Sequence, residues 1–511
     1  MENNNKTIKY GIILIILIIK FFQYKKSINR RTNIIYNTYN IYLNGNTYTD
    51  FKNNNYFELI PGKDCPNKEK TTLFFKDDYI LNKTENKNKI KDIHLNLIKG
   101  EEQQFFTKTP NEIREKILNN FGMKNHSNLN EYNLYILPYV IKSDFIKQIN
   151  QVLINQNQKI NRFFNYQEYI SKSLLYMNYK NMKKYFPLDY DYMLEAYTFP
   201  QEKKEIYSKF ENYNAEKTNN LYLVKPSLSS VGAGITFLDN IKNITYQNYI
   251  ITRYLNNPHL IRGFKYDIRF HCLISSIKPL KLYIYDEGFV RIATEKYSLT
   301  SKNKYSFLTN IYVNKQNMAK YKYPLKDSEI ETSNLWNLEI FEKYCKSKGI
   351  NYNILYNDVI DIFIKMVFSI RKKLISYIDN NNLHFSNFYH MIGIDIIVDE
   401  NLKPYLLEAN RRSSLRDDNS AEKKYTHNLI ADTLNIIGIK VRKNNMRHKY
   451  SNRKMQNSLK NIIDDNLCEL DRPRGGYKLI FPLKENIEKY QKYYLNDIPI
   501  EDLELWKYLK E

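Results

Sequence analysis

Cysteine is scarce in this 511-residue chain: Cys65, Cys272, Cys345 and Cys468 lie far apart, with no C-x-x-C pair. That spacing argues against a zinc ribbon or a disulfide framework and fits a reducing compartment. The eight histidines contain no H-E-x-x-H pairing, so a histidine-built metal centre is not indicated. No Gly-Lys-Ser/Thr tail opens a helix, which removes the Walker-type phosphate loop. Internal repeats are absent, as are the sequence words of DNA- and RNA-binding modules, so nucleic acid is the weaker partner class. Acids are also in deficit, 55 against 78 basic residues, for a formal charge of +23. Tyrosine is abundant (46) where tryptophan is rare (2), and with so much Asn, Lys and Ile this reads as coding bias as much as selection. Whatever its origin, the charge sets up a field that attracts acidic partners, a protein tail or an anionic membrane surface among them.

Long apolar runs are missing too. Tyr10–Ile19 is continuous and apolar, but it is about half of the roughly 20 residues that a bilayer span needs. It has the length of a signal-peptide core, yet the bulky, basic FFQYKKSINRR follows it instead of a small-residue cleavage site. We read it as a short membrane anchor, with a frayed hydrophobic helix as the alternative. Positive charge on the C-terminal flank (Lys20, Lys25, Lys26, Arg30, Arg31) then places the body in the cytosol.

What is present concentrates in the middle of the chain. Ile392–Asn410, IGIDIIVDENLKPYLLEAN, reads as a hairpin: Ile394, Ile396 and Val398 share one face, Asp399–Asn401 turns, and Lys403–Asn410 returns. Asp395, Glu408 and Asn410 then fall side by side at one end, a set of hard oxygen ligands of the kind Mg²⁺ prefers. Solvent-facing acids are the plainer alternative. Upstream, Leu221–Leu238 (LYLVKPSLSSVGAGITFL) puts Lys225 before a Ser/Gly loop between two strands, where backbone N–H groups can approach phosphate. In FKYDIRF, Lys265, Asp267 and Arg269 alternate with aromatics and share one strand face, which suits phosphate; a Lys265–Asp267 ion pair is the competing reading. Leu280–Ala293 reads as a further hairpin turning at Asp286–Gly288, with Arg291 on its second strand or capping the Glu287 turn. Phe307–Lys315, FLTNIYVNK, brings Thr309 and Asn310, which could equally be turn residues.

In this order the segments resemble an ATP-grasp ligase. The words VKPSLSSVGAGI, ITRYLNNPHLIRGFKYDIR, YDEGFVRIATEKYS, LTNIYVNK and GIDIIVDENLKPYLLEAN are similar to the tubulin–tyrosine ligase-like family, nearer its glutamylase-type members than tyrosine ligase itself. Gln158–Leu175 and Phe186–Glu202 resemble two more of its segments, and the likeness covers roughly Phe145 to Ile430. It implies an α+β ATP-grasp fold: antiparallel or mixed sheets with flanking helices, and the nucleotide between two sheet-containing lobes. The expected layout is a hydrophobic segment over 1–30, a variable Asn/Lys-rich region over 31–144, the catalytic domain over 145–440, and a basic extension with a closing strand and helix over 441–511.

The implied activity is ATP- and Mg²⁺-dependent ligation of an amino acid, glutamate before tyrosine or glycine, to a carboxylate of tubulin's acidic C-terminal tail, by way of an acyl phosphate. An inactive microtubule-binding member is the alternative; either belongs to the cytoplasm and cytoskeleton. By match to the family, Lys172, Lys225 and Lys265 contact phosphates, while Thr252, Arg253, Tyr254 and Leu255 run along the adenine, chiefly through backbone. Asp267 belongs to the nucleotide's surroundings. Arg269 and Arg291 act at the transferring group with Lys225, Thr309 and Asn310 lie on the substrate side, and Asp395, Glu408 and Asn410 hold Mg²⁺. Tyr254, Tyr266 and Phe270 read as core.

Departures from the family pattern are Val231 in the glycine loop (usually basic or amide), Phe307 (often His), Thr252 (Gln), and Arg411–Arg412 after Asn410. The two arginines suit an acidic substrate. Elsewhere, Asn357–Ile378 and Ala421–Ile437 have helical spacing, with Gly438 closing the second. Lys440–Lys460 is a basic solvated stretch, Gly475–Glu485 (GGYKLIFPLKE) is the closing segment, and Ile498–Leu509 is a terminal helix. Thr71–Ile80 and Ile90–Ile98 read as strands or helices.

Overall fold

The structure, a computed structural model, describes residues 158–510 apart from 212, 214–219, 230, 246, 300–302, 325–326, 412–414, 416–419 and 440–458, together with short pieces between 58 and 137. The expectations for Tyr10–Ile19, Ile90–Ile98 and residues 440–458 therefore lie outside the described residues. Among those described, no helix is long and apolar enough to cross a membrane.

Strands β1 (Glu58–Leu59) and β2 (Thr71–Thr72) pair antiparallel. A parallel sheet has the order β4-β3-β5-β6, from β3 (Gln104–Thr107), β4 (Lys124–Asn125), β5 (Leu134–Ile136) and β6 (Lys159–Ile160). A small antiparallel sheet runs β7-β10-β8-β9, from β7 (Ala196–Phe199), β8 (Tyr222–Pro226), β9 (Thr236–Phe237) and β10 (Tyr249–Arg253). The large antiparallel sheet follows β14-β13-β12-β15-β16, from β12 (Phe264–Ile277), β13 (Leu280–Lys296), β14 (Leu335–Asn337), β15 (His390–Val398) and β16 (Pro404–Asn410). Onto it β11 (Leu260–Ile261) pairs with β12, and β17 (Tyr477–Phe481) with β13. The class is mixed α+β with antiparallel sheets.

Period-two alternation positions the chemistry. Tyr266, Ile268 and Phe270 on β12, and Ile392, Ile394, Ile396 and Val398 on β15, enter the main core. Lys265, Asp267 and Arg269, and Asp395, are left on the opposite face. The core face is covered by a 29-residue helix, Tyr352–Asn380, whose stripe of Leu355, Val359, Ile362, Phe363, Met366 and Val367 follows helical spacing. Asn351 caps it, its side chain accepting from the N–H of Asn353 at 3.1 Å. The Ser420–Ile437 helix lies against the second core and stops at Gly438, in the left-handed region (φ 65°).

Two expectations are corrected. Asp286–Gly288 is not a turn, because β13 runs unbroken through it. Register slips there, from Phe270 opposite Gly288 to Cys272 opposite Ile284, and a Cβ on Gly288 would lie 2.4 Å from the Arg269 carbonyl oxygen. The D-E-G signal therefore marks a bulge and a change of neighbour: β17 flanks β13 at Leu282–Tyr285 and β14 flanks it at Phe289–Arg291. Cys468 is in a disulfide whose partner lies outside the described residues, whereas Cys272 and Cys345 are free and buried. In the C-terminal segment, β17 pairs with β13 at the edge of the large sheet. Gly476 N–H donates to Asp432 at 2.9 Å, and buried Asp502 accepts from Leu280 N–H (3.0 Å) and from Arg371 (2.7 Å).

Candidate active site

The carboxylate hairpin forms as the alternation requires. Asp395 stands directly opposite Glu408, and Gly393 opposite Asn410. Between Glu408 and Leu406 the register slips by one residue, so Leu406 returns to the core while Leu407 and Glu408 both line a cleft. The Asn410 amide reaches Asp395 at 3.3 Å and Glu408 at 3.2 Å through Nδ2. Turning that amide over would present Oδ1 to the same point.

Behind these side chains runs a buried chain of alternating charge. Arg269 sits across from Asp395 on β12 and donates to both of its oxygens, Nη2 to Oδ2 at 2.8 Å. Arg291, across from Asp267, donates to Oδ1 at 2.5 Å and Oδ2 at 2.7 Å, and its Nη2 also reaches Asp395 at 2.7 Å. Thr309 donates to Asp267 through Oγ1. The Lys265–Asp267 pair is not formed: Lys265 donates to the Tyr254 hydroxyl (3.0 Å) and the Phe307 carbonyl (2.9 Å) and lies 4.2 Å from the Tyr254 ring centre. Arg291 does not cap a turn at Glu287. Asn310 does cap, its side chain accepting from Tyr312 N–H at 2.8 Å, and it lines the cleft as well.

The small sheet forms the facing wall. Lys225 on β8, the loop through Ser229, Val231 and Gly232, and Arg253–Leu255 at the end of β10 line the same cleft as Lys265, Asp267, Arg291, Asp395 and Glu408. Empty space within it comes to about 850 Å³, open to solvent. Lys172, first residue of the Lys172–Tyr185 helix, bridges the walls: its Nζ donates to the Ser229 carbonyl at 2.8 Å and lies 3.3 Å from Glu408. Thr252 lines a smaller adjoining cavity with Lys172 and Lys225. Arg269 does not line the cleft; its expected phosphoryl contact gives way to a buried grip on Asp395.

A family model described as "Tubulin-tyrosine ligase family" matches residues 150–449, more than half of the chain. The chain belongs to the tubulin-tyrosine ligase family. It is 30% identical over 343 residues to "Tubulin polyglutamylase TTLL5" of Mus musculus, covering 65% of this chain and 24% of that protein. It is 27% identical to "Probable beta-tubulin polyglutamylase" of Tetrahymena thermophila (66% and 30%) and 26% identical to "Tubulin polyglutamylase TTLL6" of Homo sapiens (73% and 43%). The chain thus spans from about a quarter to under half of the length of these curated relatives.

Electrostatically, this family member's cleft is short of anions. Lys172, Lys225, Arg253, Lys265 and Arg291 line it with only three acids, Asp267, Asp395 and Glu408. Lys225 has no hydrogen-bond or ion-pair partner for its ammonium among the described residues; burial, with help from Lys172, pushes its pKa down to about 8. Burial and the neighbouring Lys225 push Lys265 down to about 7. Burial, aided by Asp395, raises Asp267 despite Arg291. Asp395 goes the other way: burial opposes its charge, but Arg269 and Arg291 hold it well below the usual carboxylate range. Among the described residues, buried Lys265 donates only to a hydroxyl and a carbonyl, and half-buried Lys225 stands beside it, an arrangement that suits a polyanionic ligand.

Among the described residues, no three or more His, Cys, Asp or Glu side chains are arranged to hold a metal ion. Two carboxylates and one amide fit Mg²⁺ only if phosphate or water oxygens complete its shell, which is how that ion is commonly held.

Sequence reasoning missed Gly393. A Cβ there would lie 2.9 Å from Arg269 Cδ, so only glycine lets the guanidinium cross β15 to Asp395. A glycine facing an arginine on a neighbouring strand is a signal only once pairing is known.

Proposed function

We propose that this chain is an ATP-dependent ligase that joins an amino acid, glutamate, to a carboxylate of tubulin's acidic tail. One observation carries the reading: Lys225, whose ammonium has no hydrogen-bond or ion-pair partner among the described residues, lines with Asp395 and Glu408 a cleft whose cations outnumber its acids. The names of the relatives support glutamate as the donor and tubulin as the acceptor. As in an ATP-grasp enzyme, the nucleotide would lie between the small and large sheets.

Lys172, Lys225 and Lys265 would neutralise the phosphates. The Arg253 and Tyr254 N–H groups are already engaged by the Glu195 and Leu221 carbonyls (2.8 and 2.7 Å), so base contacts fall to Leu255 and to carbonyls of the segment. Asp395, Glu408 and Asn410 would hold Mg²⁺, which when bound supplies charge neutralisation at the transferring group. The acceptor carboxylate takes the γ-phosphoryl group to give an acyl phosphate and ADP. The donor amine then displaces phosphate and forms the amide. Arg291, flanked by Thr309 and Asn310, faces the side where acceptor and donor meet, and Arg269 fixes Asp395 from behind. Such a reaction rests on positioning and charge stabilisation, which this residue set provides. A net charge of +23 would draw the enzyme to microtubules and their acidic tails.

Incubating the purified chain with tubulin, Mg²⁺–ATP and labelled glutamate, glycine or tyrosine tests this reading. Glutamate incorporation is expected. Tyrosine alone would overturn the donor assignment, and no incorporation with any donor would favour an inactive microtubule-binding member.

A further inference from the structure

A second cavity opens to solvent where β6, the far end of β12, the short turn Phe385–Asn387 and the helix Leu459–Asp471 converge. Its empty space comes to about 620 Å³, and it shares no lining residue with the nucleotide cleft. At about 3.4 Å per residue, Ser276 stands roughly 30 Å along β12 from Asp267, so the two are separate sites.

Three cations line this cavity, Lys159, Lys278 and Arg472, with two acids, Asp465 and Glu469. Glu469 is already committed: its carboxylate takes the Lys281 ammonium at 2.6 Å, the Ser275 hydroxyl at 2.6 Å and the Tyr283 hydroxyl at 3.0 Å. Lys278 lies 3.2 Å from Glu501. Arg472 meets no acid in an ion pair among the described residues; its Nη1 donates to the Ile436 carbonyl at 2.9 Å. Gly438 leaves room for that guanidinium, since a Cβ there would lie 2.3 Å from Arg472 Cζ. Lys159 donates from Nζ to the Ser386 carbonyl at 2.7 Å. Ser276 is 7% exposed, yet its hydroxyl has no hydrogen-bond partner among the described residues. A hydroxyl buried to that degree calls for a partner from outside the protein.

We propose that this cavity is a distal anion site, taking a small tetrahedral oxyanion such as phosphate among Arg472, Lys159 and the Ser276 hydroxyl. A guanidinium and an ammonium supply charge-assisted donors, and the hydroxyl gains the acceptor it lacks.

Calorimetric titration of inorganic phosphate into the full chain tests it, at constant ionic strength and with the nucleotide cleft filled by Mg²⁺ and a non-hydrolysable ATP analogue. Saturable binding of phosphate is expected, together with a rise in Tm that chloride does not reproduce. Arg472→Met and Lys159→Met should each weaken phosphate binding by about tenfold or more, the usual weight of a hydrogen bond to a charged group. Folding failure of one variant leaves the other to report. Ser276→Ala, which keeps both cations, should weaken it a fewfold. Absence of phosphate binding with the cleft filled, or unchanged binding in a folded Arg472→Met or Lys159→Met chain, overturns the site. Failure of the analogue to bind would count against the nucleotide reading alone, because residues 159 and 472 lie outside that cleft and their variants still decide the distal site.

Discussion

Asp395 and Glu408 face each other across an antiparallel pair, and Arg269 grips Asp395 from the neighbouring strand on its far side. One carboxylate is thereby fixed and kept ionised, while the other, among the described residues, is tied to Lys172 and Asn410. Glu408→Gln removes the charge of a proposed Mg²⁺ ligand and leaves the fold's buried charge chain intact. It should lower amino-acid transfer by roughly 100-fold or more, since metal charge stabilisation is worth several kcal/mol. Transfer rates at saturating ATP check this.

Gly393→Ala acts on the other carboxylate. The added methyl displaces Arg269, which orients Asp395 without touching substrate. A loss of about 10- to 100-fold in apparent Mg²⁺ affinity is expected, the usual scale for outer-shell partners of metal ligands. Mg²⁺ titration of ATP binding reads it, and an unchanged midpoint would count against the positioning role.

The lysines predict a pH dependence with a definite sign. Lys265 and Lys225, with pKa values pushed to about 7 and 8, bind fewer protons in the folded protein than in the unfolded chain, where lysine titrates near 10.5. Their contribution to folding stability therefore rises with pH between about 7 and 10. A bound polyanion restores the protons, so nucleotide binding at pH 8 should take up protons and weaken toward pH 9. Calorimetry in buffers of different ionisation enthalpy checks both signs, and Lys265→Met should reduce the uptake.

Asp502→Ala tests the role of the C-terminal helix, Ile500–Lys510. It leaves Arg371 buried without its carboxylate, at a cost of about 3–5 kcal/mol. Denaturant unfolding measures it, and a shift below about 1 kcal/mol would show that the Arg371–Asp502 pair does not anchor the helix.

Val231 holds a left-handed backbone (φ 55°) that a β-branched residue adopts only at a cost of roughly 1–2 kcal/mol. Val231→Asn removes much of that strain and adds an amide at the cleft. Nucleotide affinity should rise a fewfold, as read by equilibrium titration.

Legibility in the sequence followed locality. The carboxylate hairpin could be read because alternation, turn and ligands lie within 19 consecutive residues, and strand pairing placed Asp395 and Glu408 as that pattern required. The glycine loop, the long helix and the closing strand were legible for the same reason. Partner choice was not: Lys265 was weighed against Asp267, its neighbour on one strand, but Asp267 belongs to Arg291 on the adjacent strand. The Asp286–Gly288 signal was misread because a bulge and a turn call for the same residues, and only sheet order tells them apart. The roles of Arg269 and Gly393 come from contacts across strands far apart in the chain, which no local pattern encodes.

Calorimetric titration of Mg²⁺–ATP into the wild-type chain and Glu408→Gln, side by side, tests the central claim most directly. The account predicts a single nucleotide site in the wild type that weakens at least tenfold in the variant when Mg²⁺ is present and converges when Mg²⁺ is withheld. No binding by the wild type, or equal binding by both proteins in Mg²⁺, would contradict it.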